Sequence, residues 1–207
     1  EWERLGDPDR LRDLVDEVWV YGDPAVHDPI ATGEAPPALA DRIRFTGYLA
    51  HDRRVSDHGE PIEPKPFVLT TAGGVSDGHE LLSAAVAMRV PDGYENIIVT
   101  GPQLDDASFE AIASQAAPGT QVHRSWPGLG SQIAEAAAVI SMGGYNTVCE
   151  ILATDTPALI VPRETPRLEQ LIRAEALCDA RALDVMRTPQ VTAETLGDWV
   201  ADAVTRH

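Results

Sequence analysis

Two stretches of this 207-residue chain combine glycine with hydroxyl, amide and carboxyl side chains in spacings suited to holding an anion. The first, TAGGVSDGHE at 71 to 80, carries Gly73, Gly74, Ser76 and Gly78; the second, SMGGYNTVCE at 141 to 150, carries Gly143, Gly144, Asn146, Thr147 and Glu150. Each follows an apolar run and leads into a helical pattern, so each should open onto a helix N-terminus. There the unpaired N–H groups and aligned peptide dipoles amount to about half a positive charge. Glycines clear side chains from a ligand's path to those amides, and Ser76, Asn146 and Thr147 add polar donors. Such a site holds a phosphate without a lysine, and Lys65 is the only lysine in the chain. Glu150 suits a different task. A carboxylate one helical turn into the site accepts hydrogen bonds from two vicinal hydroxyls, the way an acidic residue reads a ribose. Thr147-x-x-Glu150 also fits a capping box, in which the pair satisfies only its own helix.

Glu169 and Gln170 are expected in the first turn of a later helix, at the rim of the same cleft. The spacing excludes other loops: GGVSDG lacks G-x-G-x-x-G, and no G-K-S/T follows either glycine stretch, which disfavours a nicotinamide dehydrogenase or a P-loop enzyme. The histidines at 27, 51, 58, 79, 123 and 207 have no metal-ligand spacing, so no metal is expected. His79 reads as a polar residue in a helix's first turn. Cys149 and Cys178 fall in helical segments and read as buried thiols in a reducing cytoplasm.

The elements that must carry these residues begin at residue 67. Short apolar runs at 67–71, 96–101, 120–125, 137–142, 157–162 and 182–186 alternate with longer stretches of helical periodicity, making six βα units. That pattern predicts an α/β fold, a Rossmann-like doubly wound parallel sheet. In the common strand order 3-2-1-4-5-6, strands one and four are neighbours, and both glycine stretches flank the crevice between their carboxyl ends. Residues 1–50 read as the C-terminal end of a preceding α/β domain, with a helix running into VWVYG and a second strand over 43–49. Residues 51–66, charged and rich in proline, read as a linker, and 67–207 as the ligand-binding domain. Sixteen basic against thirty-three acidic residues, a net charge of -17, argue against nucleic acid or an anionic membrane as the main partner. No apolar run approaches a membrane span. The chain begins at Glu1 without a methionine or signal pattern, which suggests a fragment or an incompletely ordered chain and leaves targeting open.

Residues 143–174, GGYNTVCEILATDTPALIVPRETPRLEQLIRA, carry G-G-x-N-S/T-x-x-E, then P-x-L/I/V-x-L/I/V-P, then D/E-Q before a helix. This combined motif resembles the donor-binding signature of GT-B glycosyltransferases. It is most similar to the family 28 C-terminal domain, the family of the N-acetylglucosaminyltransferase that forms lipid II, and within it to a branch of predicted glycosyltransferases. The resemblance spans about residues 45–190. It implies a nucleoside diphosphate sugar donor, a UDP sugar first of all, held by the C-terminal domain, with the acceptor and the general base on the N-terminal one. Carried over by position, Glu150 holds the ribose hydroxyls, and Gly143, Gly144, Asn146 and Thr147 face the diphosphate. Gly74, Ser76 and Gly78 stand where the first glycine loop approaches the phosphates, Glu169 and Gln170 bind sugar hydroxyls, and Ser125 and Trp126 flank the base. Trp126 reads equally well as a core or interface residue.

The implied reaction is metal-independent glycosyl transfer to an unidentified acceptor, hexosyl or N-acetylhexosaminyl, with no cofactor. No catalytic base is assigned, and the fragment alone is expected to be inactive. Any peripheral membrane contact would run through the N-terminal domain. Ser141 and Met142 occupy the place where plant-type members carry a phosphate-binding histidine, and the first loop is one residue longer than G-G-S-x-G. Arg163 and Arg167 are candidates to compensate near the phosphates. A nucleotide-sugar hydrolase or epimerase on the same scaffold, and a non-catalytic nucleotide-sugar-binding module, are the alternatives.

Overall fold

The computed structural model describes residues 7–49, 65–73 and 78–206. They fall into two compact units, one within residues 1–49 and one within 50–207. In the first unit α1 (Pro8–Leu14) precedes β1 (Val18–Val20), and a 3-10 turn over Pro37–Arg42 leads into β2 (Ile43–Phe45). The two strands pair in parallel, Val18 opposite Ile43 and Val20 opposite Phe45. Leu39 is fully buried. Arg12 ties α1 to the 3-10 turn, donating to the Ala38 carbonyl at 2.9 Å and to the Asp41 carboxylate at 2.6 Å. The strand expected over 43–49 stops at Phe45, because Gly47 turns the backbone into the left-handed region at φ 73°.

The second unit is built on six strands: β3 (Phe67–Thr71), β4 (Glu95–Val99), β5 (Thr120–His123), β6 (Ala138–Ser141), β7 (Ala158–Ile160) and β8 (Asp184–Val185). Their order across the sheet is β5-β4-β3-β6-β7-β8, and every neighbouring pair is parallel. Counted within this unit, that is the order 3-2-1-4-5-6 expected from the βα alternation. Every residue of β6 and β7 is buried, and so is all of β3 and β4 beyond the first residue, as sheets covered on both faces require. Asn96, a buried polar residue inside β4, donates its side-chain amide to the Ala85 carbonyl at 2.9 Å.

Six helices flank the sheet: α2 (His79–Ala87), α3 (Asp106–Ala113), α4 (Leu129–Glu135), α5 (Tyr145–Leu152), α6 (Glu169–Asp179) and α7 (Ala193–Ala203). α2 packs against α3 and α7, while α4 packs against α5. One apolar cluster joins Val68, Ile98 and Ile140 from the sheet to Leu82, Leu196 and Val200 from α2 and α7. The sixth βα unit implies a helix after β8, but no stretch of the sequence is marked as α7. Its buried positions Leu196, Val200 and Ala203 have helical spacing, but its capping box uses Thr192 with Thr195 instead of a glutamate. Gly197 weakens its helical signal further. That glycine serves close approach: a Cβ built on it would lie 3.1 Å from the Arg89 carbonyl oxygen. Both cysteines are free; Cys149 is buried as expected, whereas Cys178, near the end of α6, is partly exposed.

Candidate functional site

β3 and β6 lie side by side in parallel, with Thr71 directly opposite Ser141 at their carboxyl ends. From that pair the chain leaves both strands in the same way. Gly73 donates its N–H to Thr71 Oγ1 at 3.4 Å, and Gly143 donates its N–H to Ser141 Oγ at 3.2 Å. Between each hydroxyl residue and its glycine sits one buried apolar residue, Ala72 or Met142. Both glycines then take left-handed backbone, φ 77° at Gly73 and φ 76° at Gly143, which a β-carbon would disfavour. Two strand ends of equal length and equal turn thus open at one place.

The glycines divide by task. A Cβ on Gly78, which precedes α2, would fall 2.5 Å from the Ala72 Cβ and 3.1 Å from Met142 Sδ, so Gly78 lets α2 start against the roots of both turns. A Cβ on Gly143 would fall 2.6 Å from Ile160 Cγ2. Gly144, at the N-cap of α5, has no heavy atom within 4 Å of its built Cβ and faces open space. Asn146 is exposed and Thr147 half-buried in the first turn of α5. Gly74 and Ser76 lie outside the described residues.

Glu150 is the sixth residue of α5, and Gly144 is that helix's N-cap, so Thr147 and Glu150 are not the N-terminal capping box that their spacing also fits. The Glu150 carboxylate lies against the start of α4: a Cβ on Gly130 would sit 3.4 Å from Glu150 Cδ and 3.5 Å from Oε1. α4 begins directly after the segment of Ser125 and Trp126. Glu150 therefore stands beside the first turn of α4, the helix that follows β5. Ser125 is exposed. Trp126 is engaged by the protein itself, stacked on His123 with ring centres 5.6 Å apart and tilted against Phe67 at 5.7 Å.

Glu169 and Gln170 open α6 as expected. Gln170 Oε1 accepts the Arg163 backbone N–H at 3.1 Å and braces the loop after β7. In that loop Glu164 pairs with Arg187, whose guanidinium hydrogen bond holds the Glu164 carboxyl below its ordinary range. Glu169 is exposed and paired with Arg173, which also donates to the Gly143 carbonyl oxygen at 2.9 Å. Nothing in the local sequence marks Arg173, Gly130 or Tyr145 beyond the four-residue spacing of Glu169 and Arg173. His79, the first residue of α2, is exposed, with Nε2 3.5 Å from Ser83 Oγ.

The cap chemistry separates these helices from the rest. Asp105 caps α3, accepting the Ser108 N–H at 2.9 Å, and Thr192 caps α7. By contrast α2, α4 and α5 start from glycine and α6 from Leu168, residues with no side-chain acceptor to offer their helix amides. An open hollow of about 660 Å³ lies elsewhere, at the amino ends of β7 and β8, lined by Asp155, Cys178, Arg181, Asp184 and Arg206; none of the residues above reaches it. Among the described residues no group of three or more His, Cys, Asp or Glu side chains gathers to hold a metal ion. No helix among them is long and apolar enough to cross a membrane.

Residues 68–206, more than half of the chain, match the glycosyltransferase family 28 C-terminal domain. Over 189 residues the chain is 26% identical to the UDP-N-acetylglucosamine--N-acetylmuramyl-(pentapeptide) pyrophosphoryl-undecaprenol N-acetylglucosamine transferase of Agrobacterium fabrum, covering 84% of this chain and 50% of that protein. The chain spans 38% to 50% of the length of the curated relatives it matches. Among solved structures, Acinetobacter baumannii MurG superposes with a TM-score of 0.59 at 19% identity, over 96% of this chain and 56% of that one. The glycosyltransferase VinC in complex with dTDP superposes with a TM-score of 0.56 at 19% identity, over 71% and 35%. At these identities the superpositions speak for the fold, which is that of GT-B glycosyltransferases.

The packing at the second turn yields a contrast between adjacent glycines. Gly143→Ala should destabilise the protein by about 2–4 kcal/mol, from left-handed strain plus overpacking on Ile160. Gly144→Ala, in open space at negative φ, should cost under about 1 kcal/mol. Urea unfolding of the two variants measures both; equal losses would contradict the division of roles.

Proposed function

The chain belongs to glycosyltransferase family 28 through its C-terminal domain, and from that premise we propose that residues 67–207 bind a nucleoside diphosphate sugar and present it for transfer to an acceptor. In this reading residues 1–50 are the end of the preceding, acceptor-side domain and 51–66 the linker. The observation that carries the proposal is the pairing of Thr71 with Ser141, which puts two left-handed glycine turns side by side, ahead of α2 and α5, whose N-caps are glycines.

The diphosphate lies at those termini, against the amides of Gly144, Tyr145 and Asn146 and those that open α2. The pentose follows along α5 to Glu150, whose carboxylate accepts its vicinal hydroxyls. The base continues toward residues 125–128, where backbone groups and Ser125 are available while the Trp126 ring is held by His123 and Phe67. In the other direction the sugar reaches Glu169 and Gln170. This linear order supports a donor laid across the carboxyl edge of the sheet from base to sugar. The proposed base is a pyrimidine, with UDP preferred: the relative from Agrobacterium fabrum is named for a UDP sugar, and VinC was solved with dTDP.

In the transfer, the acceptor oxygen or nitrogen forms a bond to the anomeric carbon while that carbon's bond to the β-phosphate oxygen breaks. The electron pair leaves on the diphosphate, and the acceptor proton passes to a base outside the residues assigned here. Charge therefore grows where the helix amides and dipoles already point, and prepositioned donors stabilise it more in the transition state than in the ground state. This is the physical case for metal-independent transfer. The free thiols of Cys149 and Cys178 accord with a proposed cytoplasmic location.

Glu150→Ala should weaken UDP binding by roughly tenfold or more, from loss of charged hydrogen bonds. Calorimetry with unchanged affinity would remove the ribose role. In a second measurement, EDTA in excess of any divalent ion should leave UDP affinity as it was; binding that collapses with the chelator would mean that dipoles and amides are insufficient.

A further inference from the structure

Arg173 is the fifth residue of α6, one turn behind Glu169, and its side chain is 14% exposed. Few guanidinium groups are so covered unless they are engaged. One nitrogen, Nη2, donates to the Gly143 carbonyl oxygen at 2.9 Å, and the other, Nη1, lies 3.3 Å from Glu169 Oε1. The guanidinium carbon stands 5.7 Å from the centre of the Tyr145 ring, within cation–π range. A single planar group thus touches the second glycine turn, the first residue of α5 and the first residue of α6.

The contact to Gly143 has a directional consequence. A trans peptide is planar, so the carbonyl of Gly143 and the N–H of Gly144 point in opposite directions across one rigid unit. By drawing that carbonyl toward α6, Arg173 sets the direction of the Gly144 N–H, the first amide at the open mouth of α5. The same group takes one oxygen of Glu169 and leaves the other for a ligand hydroxyl. It also adds a full positive charge beside a site that no lysine serves.

We propose that Arg173 is a positioning residue that couples the diphosphate turn to the sugar-contacting turn, so that the two halves of the donor are held by one linked arrangement. This deepens the donor-binding reading and rests on it. A lysine in its place would keep the charge but could not span both acceptors with a fixed fork.

Calorimetry on the whole chain with UDP and with UDP-N-acetylglucosamine tests the coupling in wild type, Arg173→Met, Arg173→Lys and Glu169→Gln, with the unfolding midpoint of each variant as a control. Wild type is expected to bind both ligands, the sugar adding to affinity. Arg173→Met should lose roughly tenfold for UDP and all of the sugar's increment, falling to the ratio seen in Glu169→Gln. Arg173→Lys should recover part of the UDP affinity but not the increment, and it keeps the test available if the methionine variant does not fold. An unchanged sugar-to-UDP ratio in folded Arg173 variants would overturn the coupling while leaving the donor site in place. Absence of UDP binding by wild type would overturn the donor-binding reading itself, and the coupling with it.

Discussion

The parallel register of β3 with β6 is the constraint from which the site follows. Because Thr71 faces Ser141, the two strands end level, and each spends one buried residue before a left-handed glycine. A slip of one residue would displace the turns by about 3.3 Å and send every side chain of the slipped strand to the opposite face. Gly78 adds a second lock, since its missing Cβ is what admits α2 against Ala72 and Met142 together. The core enforces this register through shape: β3 and β6 are buried on both faces, so a slipped pairing would force Val68, Ile140 and their neighbours into space packed for other side chains.

A net charge of -17 is by itself a poor setting for an anionic ligand. The distances resolve the tension. Charges spread over the surface are screened within about 8–10 Å at ordinary salt, whereas helix amides and dipoles act within the first turn of each helix. The helices that begin around the paired turns start from glycine or leucine, while α3 and α7 spend an aspartate and a threonine on capping. An uncapped helix start is costly to bury and useful to an anion. Arg173, largely covered and directed at the Gly143 carbonyl, adds a full charge where the dipoles add fractions.

What the sequence makes legible here is whatever depends on period and local chemistry. Apolar runs of β-branched residues such as NIIV mark the strands, and their alternation with helical stretches yields the sheet order, hence the adjacency of the two glycine turns. Glu169 and Gln170 at the start of α6 follow from the same pattern. Less legible is whatever depends on a neighbour distant in the chain. The Thr147 and Glu150 spacing fits a cap, but the helix starts at Gly144 and turns Glu150 toward Gly130. Trp126 reads equally as base contact or core residue in sequence, and that its ring packs on Phe67 and His123 depends on neighbours the local pattern does not show. Gly78 and Gly143 look like ligand glycines in sequence, and in space they also admit close packing on Ala72, Met142 and Ile160, whereas a Cβ on Gly144 would meet nothing. α7 escapes notice because its cap is a threonine pair and its centre a glycine.

The amide nitrogens themselves offer the most direct measurement. In a uniformly 15N-labelled sample titrated with UDP, the largest shifts are expected at the backbone amides of Gly144, Tyr145, Asn146 and His79, with Gly130 following as the Glu150 carboxylate engages the pentose. Unmoved amides at those positions, with shifts gathered instead around Arg181, Asp184 and Arg206 at the other end of the sheet, would contradict it.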